Sequence, residues 1–309
     1  MTRTREDGKE EVFSACIKHD DTRYLGGNKN SSVAAIKLQG RPRTGISYDK
    51  ANEFCANRGD WITMIDYLEY CALQALCYIE YASFDNQAAL NTNLTSEGFK
   101  QGGLGAGVTN LNWERWTAFN GNNPIVQTYW SAEHNIGNGS TNGDHYELGN
   151  YNADGSNLST YPAIYRGILN FFGDIWTFVR DVVIINKDKD YNYVYILKKG
   201  VNHVDVTKDN VNEKCYLIGY QANTNNFITE FDFQRGVYFI PNKVGSNKKA
   251  DYNWKRSNDG QDTDKAVCVL LLGGRAADDS AAGSGDFHSA WVRSDSHVSV
   301  GFFTTVKLD

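Results

Sequence analysis

The feature that most constrains this chain is a pair of apolar runs near the C-terminus and the segment they enclose. The first run is Val267–Leu272 (VCVLLL), and the second is Val298–Val306, interrupted by Gly301. Between them lies GGRAADDSAAGSGDFHSAWVRSDSHVSV, which is small, polar and mixed. A continuous apolar run of this length, bounded by glycines, reads as a strand in the interior of a sheet. The polar stretch between two such strands is expected to lie mostly at the surface, because its backbone groups would lack partners in a dry core. Two readings stand side by side: an ordinary solvated loop, and a rigid frame presenting a long, adaptable face.

A chain of 309 residues can bury one large core or two modest ones, and 41% hydrophobic with 13% aromatic residues supplies enough apolar surface for a globular protein. The net charge of −6 gives no support to a nucleic-acid partner. The six cysteines, at 16, 55, 71, 77, 215 and 268, include no CxxC pair and no zinc-site spacing. Cys55, Cys71 and Cys77 fall in expected helices and Cys268 in the expected buried strand, so they read as buried thiols acting as small hydrophobes, which fits a reducing cytosol. A disulfide from Cys16 is the alternative. The opening MTRTREDGKEE lacks the apolar region of a signal peptide, and no run reaches transmembrane length. The expectation is a protein made in the cytoplasm, with no membrane insertion.

Residues 1–44 read as an N-terminal tail, frayed over 1–11, with short strands at Val12–Ile17 and Val33–Leu38. Ser47 is placed to cap an amphipathic helix carrying Ala51, Phe54 and Cys55 on one face, with Gly59 as its C′ residue. Trp61–Met64 is a brief extended piece. Asp66, with Glu69 three residues on, forms a capping box for a longer helix. Its stripe of Leu68, Cys71, Ala72, Ala75, Leu76 and Ile79 is expected to face the core. From Asn86 to Pro162 the chain is rich in Gly and Asn with scattered tryptophans, and reads as long loops and short strands packed by aromatics. Arg166–Ile185 contains a turn at Gly173–Asp174 before a strand. Strand-like runs at Tyr191–Lys198, Tyr216–Tyr220 and Val237–Ile240 suggest a β-rich insertion over about 186–266. Tyr252 and Trp254 read as local packing of a surface loop, with a place over the C-terminal face as the alternative.

Familiar catalytic patterns are missing. There is no P-loop, GxGxxG, HExxH or GxSxG, and Gly102–Gly107 opens no helix after a strand. Two Asp-x-His units, Asp286 with His288 and Asp295 with His297, are metal-capable in type, but nothing in the spacing fixes their relative geometry or supplies a third ligand. The adjacent pairs Asp278–Asp279 and Asp20–Asp21 read as solvated loop residues rather than acid–base dyads.

Three pieces, in this order, resemble one known architecture. GISYDKANEFCANRG with DWITMIDYLEYCALQALCYIEY resembles the helix–Trp–helix unit of proteins related to formylglycine-generating enzymes. FFGDIWTFVRDVV resembles that family's G-N-V-W-E-W strand, with Gly173, Ile175 and Trp176 matching while Asp174 and Thr177 depart. LLLGGR followed by VSVGFF resembles the family's final hairpin, matching at Gly273, Gly274, Gly301 and Phe302. The resemblance implies an α+β, C-type-lectin-like domain over 45–306, with two helices in the N-terminal half, short twisted antiparallel sheets and much irregular loop. Residues 267–309 would be its terminal hairpin. The copper-binding cysteines of the oxidases have no counterpart in Gly285–Ser294.

The non-catalytic relatives are the variable proteins of diversity-generating retroelements. The chain resembles them at Trp61, Met64, Glu69, Tyr70, Ala72, Leu73, Gln74, Leu76, Ile79, Glu80, Tyr81 and Gln87, and in a terminal repeat opening with GGR. In that family, adenine-directed mutagenesis rewrites codons, often Asn codons, on the hairpin surface. Asn is absent from Ala276–Ser299, although Asp, Ser, His, Ala and Phe are all reachable from Asn codons by changes at adenines. Trp291 is not, so it is fixed or arises from another codon. The resemblance implies a hypervariable recognition surface at Ala277, Asp278, Asp279, Ser284, Asp286, His288, Ser289, Trp291, Arg293, Asp295, His297 and Ser299, acting without catalysis on a protein or cell-surface ligand. Trp291, Arg293 and Phe287 are candidate anchors, with a core contact as the equal alternative for Phe287. No cofactor is implied beyond a structural calcium, and display on a virion or cell surface is expected. A divergent oxidase and a fixed-sequence structural tail protein are the alternatives.

Overall fold

Two capped helices set the N-terminal half of the domain. Ser47 Oγ accepts from the Lys50 amide at 3.3 Å and starts α1 (Tyr48–Ala56). Asp66 Oδ1 accepts from the Glu69 amide at 2.9 Å while Glu69 Oε2 accepts from the Asp66 amide at 3.1 Å, completing the predicted capping box of α2 (Tyr67–Tyr81). Helix α1 is closed by Asn57, and Gly59, at φ +139°, belongs instead to the turn that follows, where its carbonyl accepts from Ile62. The computed structural model describes residues 2–4, 10–12, 45–57, 59, 61–84, 147–148, 158–159, 164–165, 168–169, 171–173, 175–186, 191–233, 237–246, 251–255, 267–275, 278, 281–297 and 299–306.

Within them the chain is mostly β, with three α-helices, an α+β composition as expected. The strands in order are β1 (Thr2–Thr4), β2 (Glu10–Val12), β3 (Ile62–Met64), β4 (Glu147–Leu148), β5 (Leu158–Ser159), β6 (Ile164–Tyr165), β7 (Ile168–Leu169), β8 (Trp176–Asn186), β9 (Tyr191–Leu197), β10 (Cys215–Ala222), β11 (Asn226–Asp232), β12 (Ile240–Gly245), β13 (Tyr252–Trp254), β14 (Val267–Leu272), β15 (Phe287–Trp291), β16 (Val300–Gly301) and β17 (Thr304–Val306). The third helix, α3, is a single turn at Val211–Lys214. Part of the expected frayed tail is ordered: β1 and β2 pair antiparallel. The run expected as a strand at Val237–Ile240 becomes one only from Ile240. The strand expected over Val298–Val306 is divided between β16, which pairs parallel with β8, and β17, which pairs antiparallel with β3. The expected strands at 13–17 and 33–38, and the Gly/Asn-rich 86–162 apart from β4 and β5, lie outside the described residues.

A nine-stranded sheet organises the domain in the order β10-β9-β8-β14-β15-β13-β11-β12, with β16 also on β8. Its end strands β10 and β12 come together, so the sheet nearly closes on itself. The strands of 191–254 do not form a sheet of their own: β9 and β10 extend one flank and β13, β11 and β12 the other. The central strands are apolar on both faces, as buried strands are. Trp176, Phe178, Val269, Leu271 and Val300 face α1 with Tyr48, Ala51 and Cys55. Val179, Cys268, Leu270, Leu272 and Phe287 face α2 with Tyr67, Tyr70, Cys71 and Cys77. Helix α2 is pinned there by Tyr67, whose amide donates to Asp181 Oδ1 at 2.8 Å and whose hydroxyl donates to the Phe239 carbonyl at 2.7 Å.

The face that α2 buries corrects the sequence reading. Leu68, Ala72, Leu76 and Ile79 point outward, and the helix buries Tyr67, Tyr70, Cys71, Gln74, Cys77 and Tyr78 instead. Both sets keep helical spacing, and the aromatic set offers more area to bury together with hydroxyls that find partners across the core. Cys55, Cys71, Cys77 and Cys268 are buried and in no disulfide, as read from sequence; Cys215 is likewise buried and free, and Cys16 lies outside the described residues. Among the described residues no helix is long and apolar enough to cross a membrane.

Candidate binding face

Strand alternation decides what the terminal hairpin presents. Strands β14 and β15 pair antiparallel, with Leu271 opposite His288 and Val269 opposite Trp291. Phe287 points into the α2-side core, fully buried, with its ring 6.4 Å from Tyr67. Of its two readings, the core contact is the one observed. His288, the next residue, points the other way and meets Trp176 edge-on at 5.0 Å.

Strand β13 then brings in a residue from distant sequence. It pairs parallel with β15, setting Trp254 beside His288, and the two rings stack at 6.1 Å with an interplanar angle of 19°. Tyr252 lies 4.5 Å from Trp254, His288 lies 6.2 Å from Trp291, and Trp291 lies 6.2 Å from His297. Tyr252, Trp254, His288, Trp291 and His297 are all partly exposed, forming a continuous row of rings on one face of the sheet. The turn after β15 is held locally: Asp295 Oδ2 accepts from the Val292 amide at 3.0 Å, and Arg293 reaches Asp49 of α1 at 3.7 Å. The backbone of His297 accepts from Gly45 at 2.9 Å, tying the end of the row to the start of the domain.

Beneath the row the hairpin is not solvated. Ala281–Phe287 is buried throughout, which overturns the expectation of a surface segment for this part. Its polar groups are taken up internally. Gly285 donates to Asp251 Oδ1 at 2.9 Å, Asp286 donates its amide to the Gly283 carbonyl at 3.1 Å, and Gly273 donates to the Asp286 carbonyl at 3.1 Å. Tyr78 donates to Asp251 Oδ2 at 2.5 Å and itself accepts from Gln74 at 2.9 Å. Of the residues assigned from sequence to the face, Ser284, Asp286, Ser289 and Ser299 are therefore buried below it. His288, Trp291, Arg293, Asp295 and His297 reach it, and Ala277 and Asp279 lie outside the described residues.

Two acids underlie two indoles. Asp278, whose side chain is only 5% exposed, accepts from Arg275 Nε at 2.9 Å and from the Arg275 amide at 3.0 Å. Burial raises its pKa, while Arg275 and the Trp176 indole draw it back. Asp286 is buried without a hydrogen bond to either carboxyl oxygen. Burial, then Asp278 and Asp251, push its pKa well up, and the Trp254 indole and the Tyr252 amide pull against that without closing bonds of normal geometry. The histidines move the other way: burial, then Arg275, pushes His288 down to about 3 and lowers His297 as well. Near neutral pH the face carries two uncharged imidazoles among tryptophans.

The two Asp-x-His units do not converge. Asp286 is fully buried against the opening of the hairpin at Gly274, His288 Nδ1 accepts from Ala290, and Asp295 serves its own turn. Among the described residues no group of three or more His, Cys, Asp or Glu is placed to hold a metal ion. Trp176 and Arg275 were visible in sequence only as motif positions. The signal for Trp254 was its aromatic pairing with Tyr252, and its place beside His288 depends on a parallel register that local sequence does not encode. No protein-family model and no curated protein matches the chain.

Proposed function

We propose that this chain is a non-catalytic binding protein of C-type-lectin-like fold, related to formylglycine-generating enzymes and serving as the variable protein of a diversity-generating retroelement. It binds a protein or cell-surface ligand and is displayed on a virion or cell surface. The observation that carries this reading is the ring row Tyr252–Trp254–His288–Trp291–His297, partly exposed and built jointly by β13 and a terminal hairpin whose residues 281–287 are packed. Aromatic rings and an arginine on a preorganised backbone make a recognition surface that loses little ordering entropy on binding. The fold assignment is supported by the order of its parts: capped helix, short strand β3, capped helix α2, Trp176 at the head of a central strand, and a terminal hairpin opening at Gly273–Gly274. In this reading variation acts at 288, 291, 293, 295 and 297, and the buried Ser284, Asp286, Ser289 and Ser299 belong to the frame.

The test is to sequence the DNA downstream of the gene. A near-copy of the 3′ end is expected, differing from it only where the copy has adenines, beside a reverse-transcriptase gene. If no such copy lies there, the hypervariable reading fails and the face is one of fixed specificity.

A further inference from the structure

The histidines of the ring row share one hydrogen-bonding sense. His288 Nδ1 accepts from the Ala290 amide at 3.2 Å, and His297 Nδ1 accepts from the Ser299 amide at 3.2 Å. Ser299 Oγ also lies 2.7 Å from His297 Nδ1; it accepts from Arg275 at 3.4 Å, which leaves its own hydrogen for the imidazole. A neutral imidazole whose Nδ1 accepts carries its hydrogen on Nε2. Burial keeps both rings neutral near pH 7. An indole nitrogen only donates. His288 Nε2 and Trp291 Nε1 are therefore N–H donors, and among the described residues neither bonds within the chain, while both side chains are partly exposed.

The rings give the row its spacing. Trp254, His288, Trp291 and His297 follow one another at 6.1, 6.2 and 6.2 Å. Trp291 stands at 90° to His288 and 89° to His297, so ring faces and ring edges alternate. A polyproline II segment advances about 3.1 Å per residue, so every second residue, at about 6.2 Å, meets a new ring.

Charge and hydrogen-bond sense together select the occupant. The charged groups beside the row are already engaged: Arg293 with Asp49, Arg275 with Asp278, and Asp295 with the Val292 amide. An uncharged ligand therefore fits. A sugar brings hydroxyls that donate as well as accept, and the donors would go unmet against nitrogens that only donate. An ordinary peptide brings an N–H at each residue, with the same result. Proline brings a carbonyl acceptor, an apolar ring and no N–H. We propose that the ring row binds a proline-rich segment of a partner protein in the polyproline II conformation. Its carbonyls accept from His288 Nε2 and Trp291 Nε1, and its pyrrolidine rings pack on the aromatic faces. Such a segment is already stiff and loses little entropy on docking. The inference rests on the row being the binding face, and it holds with or without retroelement variation.

The experiment titrates the full chain by calorimetry with three probes: an end-capped decamer of L-proline, its D-proline mirror image and cellohexaose. The L-proline decamer is expected to bind saturably and the D-proline decamer about tenfold or more weaker, because the opposite hand misplaces carbonyls against rings. Cellohexaose is expected not to bind. Trp291→Phe keeps a ring and removes the N–H; it should weaken the L-proline decamer about tenfold and melt within about 2 °C of wild type. His288→Phe removes the other donor and should act alike, so one variant serves if the other fails to fold. Tyr216→Ala, on β10, should bind as wild type does. Equal affinity for the two mirror images, or full affinity in both Phe variants, overturns the proposal by showing that the donors select nothing. Saturable binding of cellohexaose that Trp291→Ala abolishes makes a glycan the occupant, which overturns the ligand class and keeps the row as the binding face. Binding of no probe overturns the ligand class as well. The variable-protein reading is decided apart from all of these, by the copy downstream of the gene.

Discussion

Gln221 of β10 donates its side-chain amide to Asn253 Oδ1 of β13 at 2.7 Å, joining strands from the two flanks of the nearly closed sheet. Asn253 in turn donates to the carbonyls of Ala222 at 2.8 Å and Thr224 at 2.9 Å. Asn192 of β9 donates to Gln221 Oε1 at 3.1 Å and to Ser289 Oγ at 3.4 Å, and Ser289 donates to the Trp254 carbonyl at 3.3 Å. All four side chains are buried. This chain of amides runs beneath β15 and ends on the strand that carries Trp254. The Asn192 Oδ1 is buried without a partner, but the bonds the network does make tie β9, β10, β13 and β15 into one arrangement.

Breaking that link should cost stability without changing the fold. Gln221→Leu leaves the Asn253 carbonyl and an Asn192 N–H without their partners in a dry setting, a loss of about 1–3 kcal/mol. Urea unfolding should show a lower midpoint at an unchanged m-value. A midpoint equal to wild type would show that the link does not hold the flanks together.

Gly274 is the position at the mouth of the hairpin least able to accept a side chain. It has φ +69°, and a Cβ there would lie 2.5 Å from Asp286 Oδ2 and 2.8 Å from the Ala282 Cβ. Gly274→Ala combines a left-handed backbone with a clash in a buried site, and is expected to destabilise by about 2 kcal/mol or more. Gly200→Ala, at φ +81° with open space around it, supplies the backbone-only comparison and should cost less.

Neighbours on β15 should answer differently to truncation. Phe287→Ala opens the α2-side core and is expected to cost about 3–5 kcal/mol. Trp291→Ala, on the half-exposed row, should cost about 1–2 kcal/mol. Chemical denaturation of both variants checks the ordering, and a larger loss at Trp291 would contradict the assignment of the two faces.

Stability should depend on pH with two opposed signs. Burial holds His203 at about 4 and His288 at about 3 in the folded chain, below the ordinary histidine value of 6.5. Their contribution is complete above pH 6.5 and is lost as pH falls toward 4 and 3, because unfolding then takes up protons. Melting temperature should therefore drop through that window, and His203→Phe should remove part of the drop. Asp181 has the opposite sign. Burial raises it from 3.8 to about 6, so ionising it in the folded chain becomes a growing penalty between those values. Asp181→Asn keeps an acceptor for the Tyr67 amide; it should melt above wild type at pH 7, with the gap closing by pH 4.

Local signals carried the helices well. Ser47 and Asp66–Glu69 mark helix starts through hydrogen bonds made within a few residues, so their outcome needs no tertiary information. Val267–Leu272 was equally plain, since an apolar run bounded by glycine is a strand wherever it is buried on both faces. The choice of face on α2 was not legible: Leu68–Ala72–Leu76–Ile79 and Tyr67–Tyr70–Cys71–Cys77–Tyr78 have the same period, and only the shape of the core selects between them.

The sequence by itself determined where helices and central strands begin, that Cys55, Cys71, Cys77 and Cys268 are buried thiols, and that the C-terminal hairpin opens at Gly273–Gly274. Each follows from interactions between near neighbours or from the hydrophobicity of a short run. Tertiary structure decided which polar residues of the hairpin reach the surface. Asp286 and Ser289 look as solvent-loving as His288 and Asp295 when read in line, yet they are buried because α2, Asp251 and the amide network lie under them. It also decided that Trp254 joins the face, through a parallel pairing with β15 across a long stretch of sequence. Long-range register and burial depend on the whole chain closing around one core, and a pattern of neighbouring residues does not contain that information.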